Sequence, residues 1–404
     1  MKCDKIGVQA NKIVFILYFI ALFSAITAAT SLTPIVKNIN SIAMLASVII
    51  FPYISFRKND FDKVTNSMMV CIIIMTIIQT VRSMLFPDVL IKGNLLFTMF
   101  GNEFCMLSMI ITMFAYLSCS ERTLISLKTF TILFCFLACV YAILSNNKYY
   151  FSSWAATAFF AYYNPKQKLV LILMYILILH GAIYAEETSR TNLITFGVSI
   201  IAILCHYFNV SKKIIYLLCY GMIIIPIAYF IITLIDPTFS VIKLIMESVS
   251  NNVDETMDTT DTRTFLFAEL MEDLTENNAL LWGKGARSGY FSYYFYISTS
   301  GLGDHWYRIT SEVSGLHFLL RGGIMFCVFH YGLIVYAVHK ALMYGRNKFV
   351  QTIAILASGW IFISCFSFLH GFSIVIVGFY ILLGCCLSEK WLNKTDKEIE
   401  KLFI

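Results

Sequence analysis

Four arginines stand where a chain dominated by apolar residues has little use for them. They are Arg190 in "AEETSRTN", Arg263 in "TDTRTFLFAEL", Arg308 in "DHWYRITSEVSG" and Arg321 in "FLLRGGIMF". A guanidinium is a planar fork of donors that binds phosphate oxygens bidentately and keeps its charge at any relevant pH. Several of them on one face suit an anionic ligand such as a pyrophosphate. Proton acceptors lie close by in sequence: Glu312 is four residues beyond Arg308, and His305 is three residues before it. A histidine titrates near neutrality unaided. A carboxyl acting as a base near neutrality needs its proton affinity raised by burial, an effect that neighbouring arginines oppose. Arg321, and Glu103 in "GNEFCML", fall within or beside apolar runs. A charged side chain there costs at least about 2.5–3.5 kcal/mol, so each should face protein or water and have a partner. A structural ion pair or a snorkelling side chain is the simpler account of either one alone.

The elements that must position these groups are membrane spans. Of the 404 residues, 59% are hydrophobic and 13% are charged, whereas soluble domains carry about 25% charged residues. The apolar residues come in runs long enough for an α-helix to cross about 30 Å of hydrocarbon. Twelve candidate spans lie near 13–30, 40–56, 66–86, 94–119, 128–146, 149–164, 168–185, 192–209, 214–235, 314–339, 349–369 and 371–388. The fold class expected is therefore an all-α polytopic membrane protein. The sixth span, "YYFSSWAATAFFAYYN", is short and weakly apolar, and a re-entrant segment is its alternative.

Basic residues set the orientation. With the N-terminus inside and the spans alternating, 19 of the 30 lysines and arginines fall in inside segments, and only Lys37, Arg82, Lys92, Lys148 and Arg190 fall in short outside loops. The positive-inside rule then puts both termini in the cytoplasm. Without the sixth span every later loop would change sides. Arg190 is thus outside, against the local charge bias.

Three regions follow: helices one to nine over 1–235, a large outside loop over 236–314, and helices ten to twelve with a cytoplasmic tail over 315–404. The loop holds 12 of the 24 carboxylates. A loop this long is usually functional or disordered, and its patterning argues for order. "TRTFLFAELMEDL" places Phe267, Leu270 and Leu274 on one helical face with Arg263 on the same side, and Asp261 is a plausible N-cap. "PTFSVIKLIMESV" has a comparable apolar face. "GYFSYYFYI" carries six aromatics between Tyr290 and Tyr296. Such rings stack on sugars, and they also occur in interfacial belts and in packed cores.

Several chemistries lack their motifs. "GKGARSG" has the wrong spacing for a dinucleotide fingerprint or a P-loop. It reads as a turn, with an anion-binding nest helped by Lys284 and Arg287 as the alternative. Nearly all of the 12 cysteines lie in apolar runs, without metal-ligand spacing, and read as small apolar residues. Nothing points to a nucleic-acid partner.

The outside "SR" turn, the late loop beginning near "TDTRTFLFAEL", the "GKGA" turn and the segment leading into "LLRGGI" together resemble the O-antigen polymerase and O-antigen ligase superfamily. The resemblance covers roughly residues 150–390. It implies a metal-independent, cofactor-free integral-membrane glycosyltransferase of the bacterial inner membrane. Such an enzyme acts on undecaprenyl-diphosphate-linked oligosaccharide at the periplasmic face, and a chain-length regulator protein is an implied partner. Arg190 matches the family's Ser-Arg turn, and Arg263 the arginine that opens the loop helix. His305 occupies the region of the ligases' essential histidine, but Trp306 follows it where those enzymes have asparagine. "RITSEVSGLHFLLRGG" is more similar to the repeat-unit polymerases, so polymerase is favoured over ligase. The catalytic candidates are Glu312 and His305; the pyrophosphate-binding candidates are Arg190, Arg263, Arg308 and Arg321. A flippase for the same lipid-linked glycan is the rival from another class. It would use two related halves, and no internal repeat is evident.

Overall fold

The structure, a computed structural model, describes residues 60–85, 109–145, 154–184, 189–236, 264–293, 296, 307–308, 311–367 and 374–404. Arg263, His305 and Glu103, the first two expected spans, the proposed Asp261 cap and the stretch "PTFSVIKLIMESV" lie outside these residues.

The described chain is mostly helix. Its helices are α1 (Lys63–Leu85), α2 (Glu121–Ser145), α3 (Trp154–Phe159), α4 (Pro165–Tyr184), α5 (Ser189–Tyr207), α6 (Lys212–Ile235), α7 (Thr264–Glu276), α8 (Ser314–Tyr344), α9 (Lys348–Ser364), α10 (Ile374–Leu387), α11 (Glu389–Asn393) and α12 (Asp396–Phe403), with a 3-10 segment at Ile111–Cys119. Two short strands, β1 (Tyr290–Phe291) and β2 (Tyr307–Arg308), pair antiparallel. Helices α1, α6 and α8 are long and apolar enough to cross a bilayer, and shorter apolar helices cover Leu193–Tyr207, Lys348–Ser364 and Ile376–Leu387. The sixth expected span is a short helix, α3, continued by a 3-10 turn at Phe160–Tyr162, and residues 154–159 are all buried. Burial inside protein suits a segment too short to cross by itself.

Helix α9 is the hub. Its sequence, "KFVQTIAILASGWIFIS", is apolar all round, as a helix enclosed by others must be, and it is buried along nearly its whole length. It packs against α5, α6, α8 and α10. Trp360 of α9 stacks on Phe379 of α10, with ring centroids 4.2 Å apart. Polar side chains within the helices bond their own backbone: the hydroxyls of Thr76, Thr80 and Thr233 donate to carbonyls four residues earlier. A hydroxyl satisfied in this way carries little penalty away from water.

The segments expected inside converge at one end of the bundle. Lys340 near the end of α8 pairs with Asp62 just before α1 at 2.9 Å, and Tyr336 donates to the same carboxylate. Burial alone would raise the Asp62 carboxyl, but hydrogen bonds from Thr65, Tyr336 and Lys340 hold it well below the usual carboxylate range. Asn347 caps α9 through Val350 N–H and donates to the carbonyls of Trp391 and Lys394. Lys390 and Lys394 both reach Glu121 at the start of α2. The tail closes this end. A capping box between Thr395 and Glu398 starts α12, which buries Ile399 and Phe403. Phe403 lies among Phe159, Tyr162, Phe349 and Trp391.

Candidate functional site

The opposite end gathers the chemistry-bearing residues and is built around a break in α8. At Gly323 the backbone leaves the helix (φ 68°, ψ −173°). A break inside a membrane helix frees donors and acceptors that must find partners in protein. Here the turn that follows α7 supplies both. Ile324 N–H and Met325 N–H donate to the carbonyls of Leu280 and Leu281, while the Leu320 and Arg321 carbonyls accept from Lys284 N–H and Gly285 N–H. The fit requires glycine on both sides. A Cβ on Gly323 would stand 2.3 Å from the Leu281 carbonyl oxygen, and one on Gly283 (φ 72°) 2.4 Å from the Arg321 backbone.

Side chains of α1 and α8 then clamp the turn. Gln79 donates to the Trp282 carbonyl, Arg82 to that of Gly283 and Arg321 to that of Ala286. Ser83 Oγ accepts from Arg287 N–H at 3.0 Å, and the Gln79 carbonyl accepts from Ala286 N–H. Lys284 grips both oxygens of Asp273 on α7 at 2.8 and 2.9 Å. All the amides from Gly283 to Ser288 are therefore engaged within the protein. "GKGARSG" is a turn, and its backbone donors form no open nest for an anion, which corrects that alternative reading.

Helix α7 lies over this end through the face read from its sequence. Leu266, Phe267, Leu270 and Leu274 are buried with Leu316, Leu319 and Leu320 of α8, and Phe230 and Leu234 of α6 pack against them. The strand pair sets Tyr290 opposite Arg308 and Phe291 opposite Tyr307. Tyr307 adds a 2.9 Å hydrogen bond to the Gly289 carbonyl. Arg308 so held meets the Glu312 carboxylate at 3.0 Å.

The predicted residues occupy different settings. Arg308 is mostly covered, while Glu312 leaves 49% of its side chain exposed. Arg321 is fully buried and bonds the turn, so its visible work is structural. Arg190 is the second residue of α5. Because His206 at the other end of α5 meets Thr352 near the start of α9, Arg190 begins the helix at the same end as the turn. The structure thus brings Arg308, Glu312 and Arg321 to one end, with the first turn of α5 at that end too.

Sequence reasoning missed Gln79, Arg82 and Ser83 as positioning residues. The signal available was a glutamine and an arginine within "TIIQTVRSML", polar groups that an apolar span seldom carries without a use. It also missed Tyr290. That side chain is fully buried, and burial pushes its hydroxyl well up, opposed by Arg308 and reinforced by Glu269, Glu312 and Asp273. Among the described residues no three His, Cys, Asp or Glu side chains cluster as metal ligands do.

Comparison with protein-family models, with curated proteins and with solved structures returns no match for this chain.

Proposed function

We propose that the chain is a bacterial inner-membrane glycosyltransferase of about twelve transmembrane helices, with both termini in the cytoplasm. It polymerises repeat units of a surface polysaccharide at the periplasmic face. The observation that carries this reading is the Arg308–Glu312 pair, its arginine held by a strand pair and its carboxylate half exposed, at the end of the bundle where Arg190 lies in the first turn of α5.

In the reaction, a hydroxyl of the acceptor repeat unit attacks the anomeric carbon of the donor glycan. The new glycosidic C–O bond forms as the bond to the donor's pyrophosphate breaks, and undecaprenyl diphosphate leaves with the electron pair. Arg190 and Arg263 stabilise the charge that develops there, as preorganised donors do at any oxyanion. Glu312 takes the hydroxyl proton, with Arg308 orienting its carboxylate. His305 is the alternative base.

Single-turnover assays on lipid-linked repeat units test the assignment. Glu312→Gln is expected to bind substrate and lose at least about 100-fold in rate, the lower range for a general base, whereas His305→Ala retains turnover. Normal turnover in Glu312→Gln removes it from the mechanism. Transfer to a lipid A core acceptor in preference to a repeat unit would make the enzyme a ligase.

A further inference from the structure

We propose that the turn following α7, residues 279–289, is a re-entrant element seated within the hydrocarbon of the outer leaflet, with Leu281 and Trp282 facing acyl chains. The inference rests on the proposed orientation, with the basic end in the cytoplasm, and it holds whatever the activity.

Two helices measure the depth from one shared level. Asp62 and Lys340 form an ion pair, so α1 and α8 start from a common level at the basic end. Charges of this kind sit at or below the hydrocarbon boundary. Along α1, Gln79 is 16 residues above Lys63, or about 24 Å at 1.5 Å per residue. Along α8, Gly323 is 17 residues above Lys340, or about 26 Å. Gln79 holds the turn at Trp282 and Ala286, and the break at Gly323 holds it at Leu280, Leu281, Lys284 and Gly285. Both routes put the turn below the far boundary of a hydrocarbon layer about 30 Å thick. Helix tilt only lowers it further.

The chemistry of the turn fits that depth. Irregular backbone is tolerated in hydrocarbon only when its polar groups are satisfied by protein, and the amides from Gly283 to Ser288 are all engaged. Over 279–290 the exposed side chains are Leu281 (48%) and Trp282 (46%). They continue the exposed apolar surfaces of α8 (Ile324, Val328) and α1 (Ile78, Val81). Tryptophan is favoured at such shallow depths. The polar Lys284 turns away to Asp273.

Tryptophan quenching in proteoliposomes tests the placement. Trp154, Trp360 and Trp391 are buried, so a Trp306→Phe chain is compared with the same chain also carrying Trp282→Phe. The emission lost on the second substitution belongs to Trp282. It is expected to be quenched at least two-fold by lipids brominated on the upper part of the acyl chain, and hardly at all by aqueous iodide. Adding Leu281→Trp to the doubly substituted chain should restore a lipid-quenched component, which guards against a misfolded variant. If iodide quenches either component as well as or better than the brominated lipid, the turn lies in water and the proposal falls.

Discussion

The two ends of the bundle solve the same problem, tying the ends of helices together, in opposite ways. At the basic end, long-range side-chain bonds close the structure: Lys340 to Asp62, Asn347 to Trp391 and Lys394, Trp391 to the Ser118 carbonyl, and Phe403 buried under the tail. Each of these contacts is accounted for by packing and neutralisation. At the other end a helix is broken, a loop is threaded into the break and arginines accumulate. Breaking a helix sacrifices regular hydrogen bonds and imposes left-handed glycine conformations, so it persists only where the surroundings over-determine it. The contrast teaches that the first end is built for closure and the second for holding a loop in one place.

Substitutions should separate the two ends, and the largest effect belongs to the break. Gly323→Ala must place a Cβ against the Leu281 carbonyl at positive φ. It is expected to cost about 3 kcal/mol or more, seen as lost membrane-integrated protein and a collapsed elution profile. Normal accumulation would mean that the turn is not locked into α8.

At the basic end Lys340→Met should cost about 2–3 kcal/mol, less than for a fully buried pair because Asp62 is partly exposed and keeps its bonds from Thr65 and Tyr336, measured as a lower thermal midpoint in detergent. Its pH dependence has a definite sign. The Asp62 carboxyl is depressed in the folded protein, so its contribution is fully present above the unfolded value near 3.9 and is lost as pH falls toward the folded value. The gap between native and Lys340→Met midpoints should be constant from neutrality to about pH 5 and shrink below about pH 4. Phe403→Ala should cost about 2–3 kcal/mol, less than a central phenylalanine because the tail can adjust, with turnover unchanged.

The smallest stability effect should accompany the largest functional one. Arg308→Ala removes a partly exposed ion pair and should shift stability by under about 1 kcal/mol, yet it should abolish long-chain polysaccharide. An equal loss of stability and activity would make Arg308 a structural residue and erase the distinction between the ends.

That the chain is helical, with apolar helices long enough to cross a bilayer, was legible in the sequence because hydrophobic run length responds to simple solvation. The apolar face of α7 was legible for the same reason: Phe267, Leu270 and Leu274 recur at helical spacing and are buried together. The clamp was not. The bonds from Gln79, Arg82 and Ser83 to the turn join residues about 200 positions apart, and no local pattern encodes which backbone groups a break in α8 will leave unsatisfied. The same gap explains Arg321. Its place in an apolar run showed that it needs a partner, but only the fold shows that a partner is the Ala286 carbonyl.

The central claim is glycan polymerisation, and reconstitution tests it most directly. The purified chain in liposomes, given undecaprenyl-diphosphate-linked repeat units and a metal chelator, should produce a ladder of lengthened lipid-linked glycan. The ladder should be absent with Arg190→Ala and with Arg263→Ala at equal protein level, and largely lost with Arg190→Lys, since an ammonium cannot replace a bidentate fork. Movement of the lipid-linked glycan between leaflets without lengthening, or a full ladder from the arginine variants, would contradict the account.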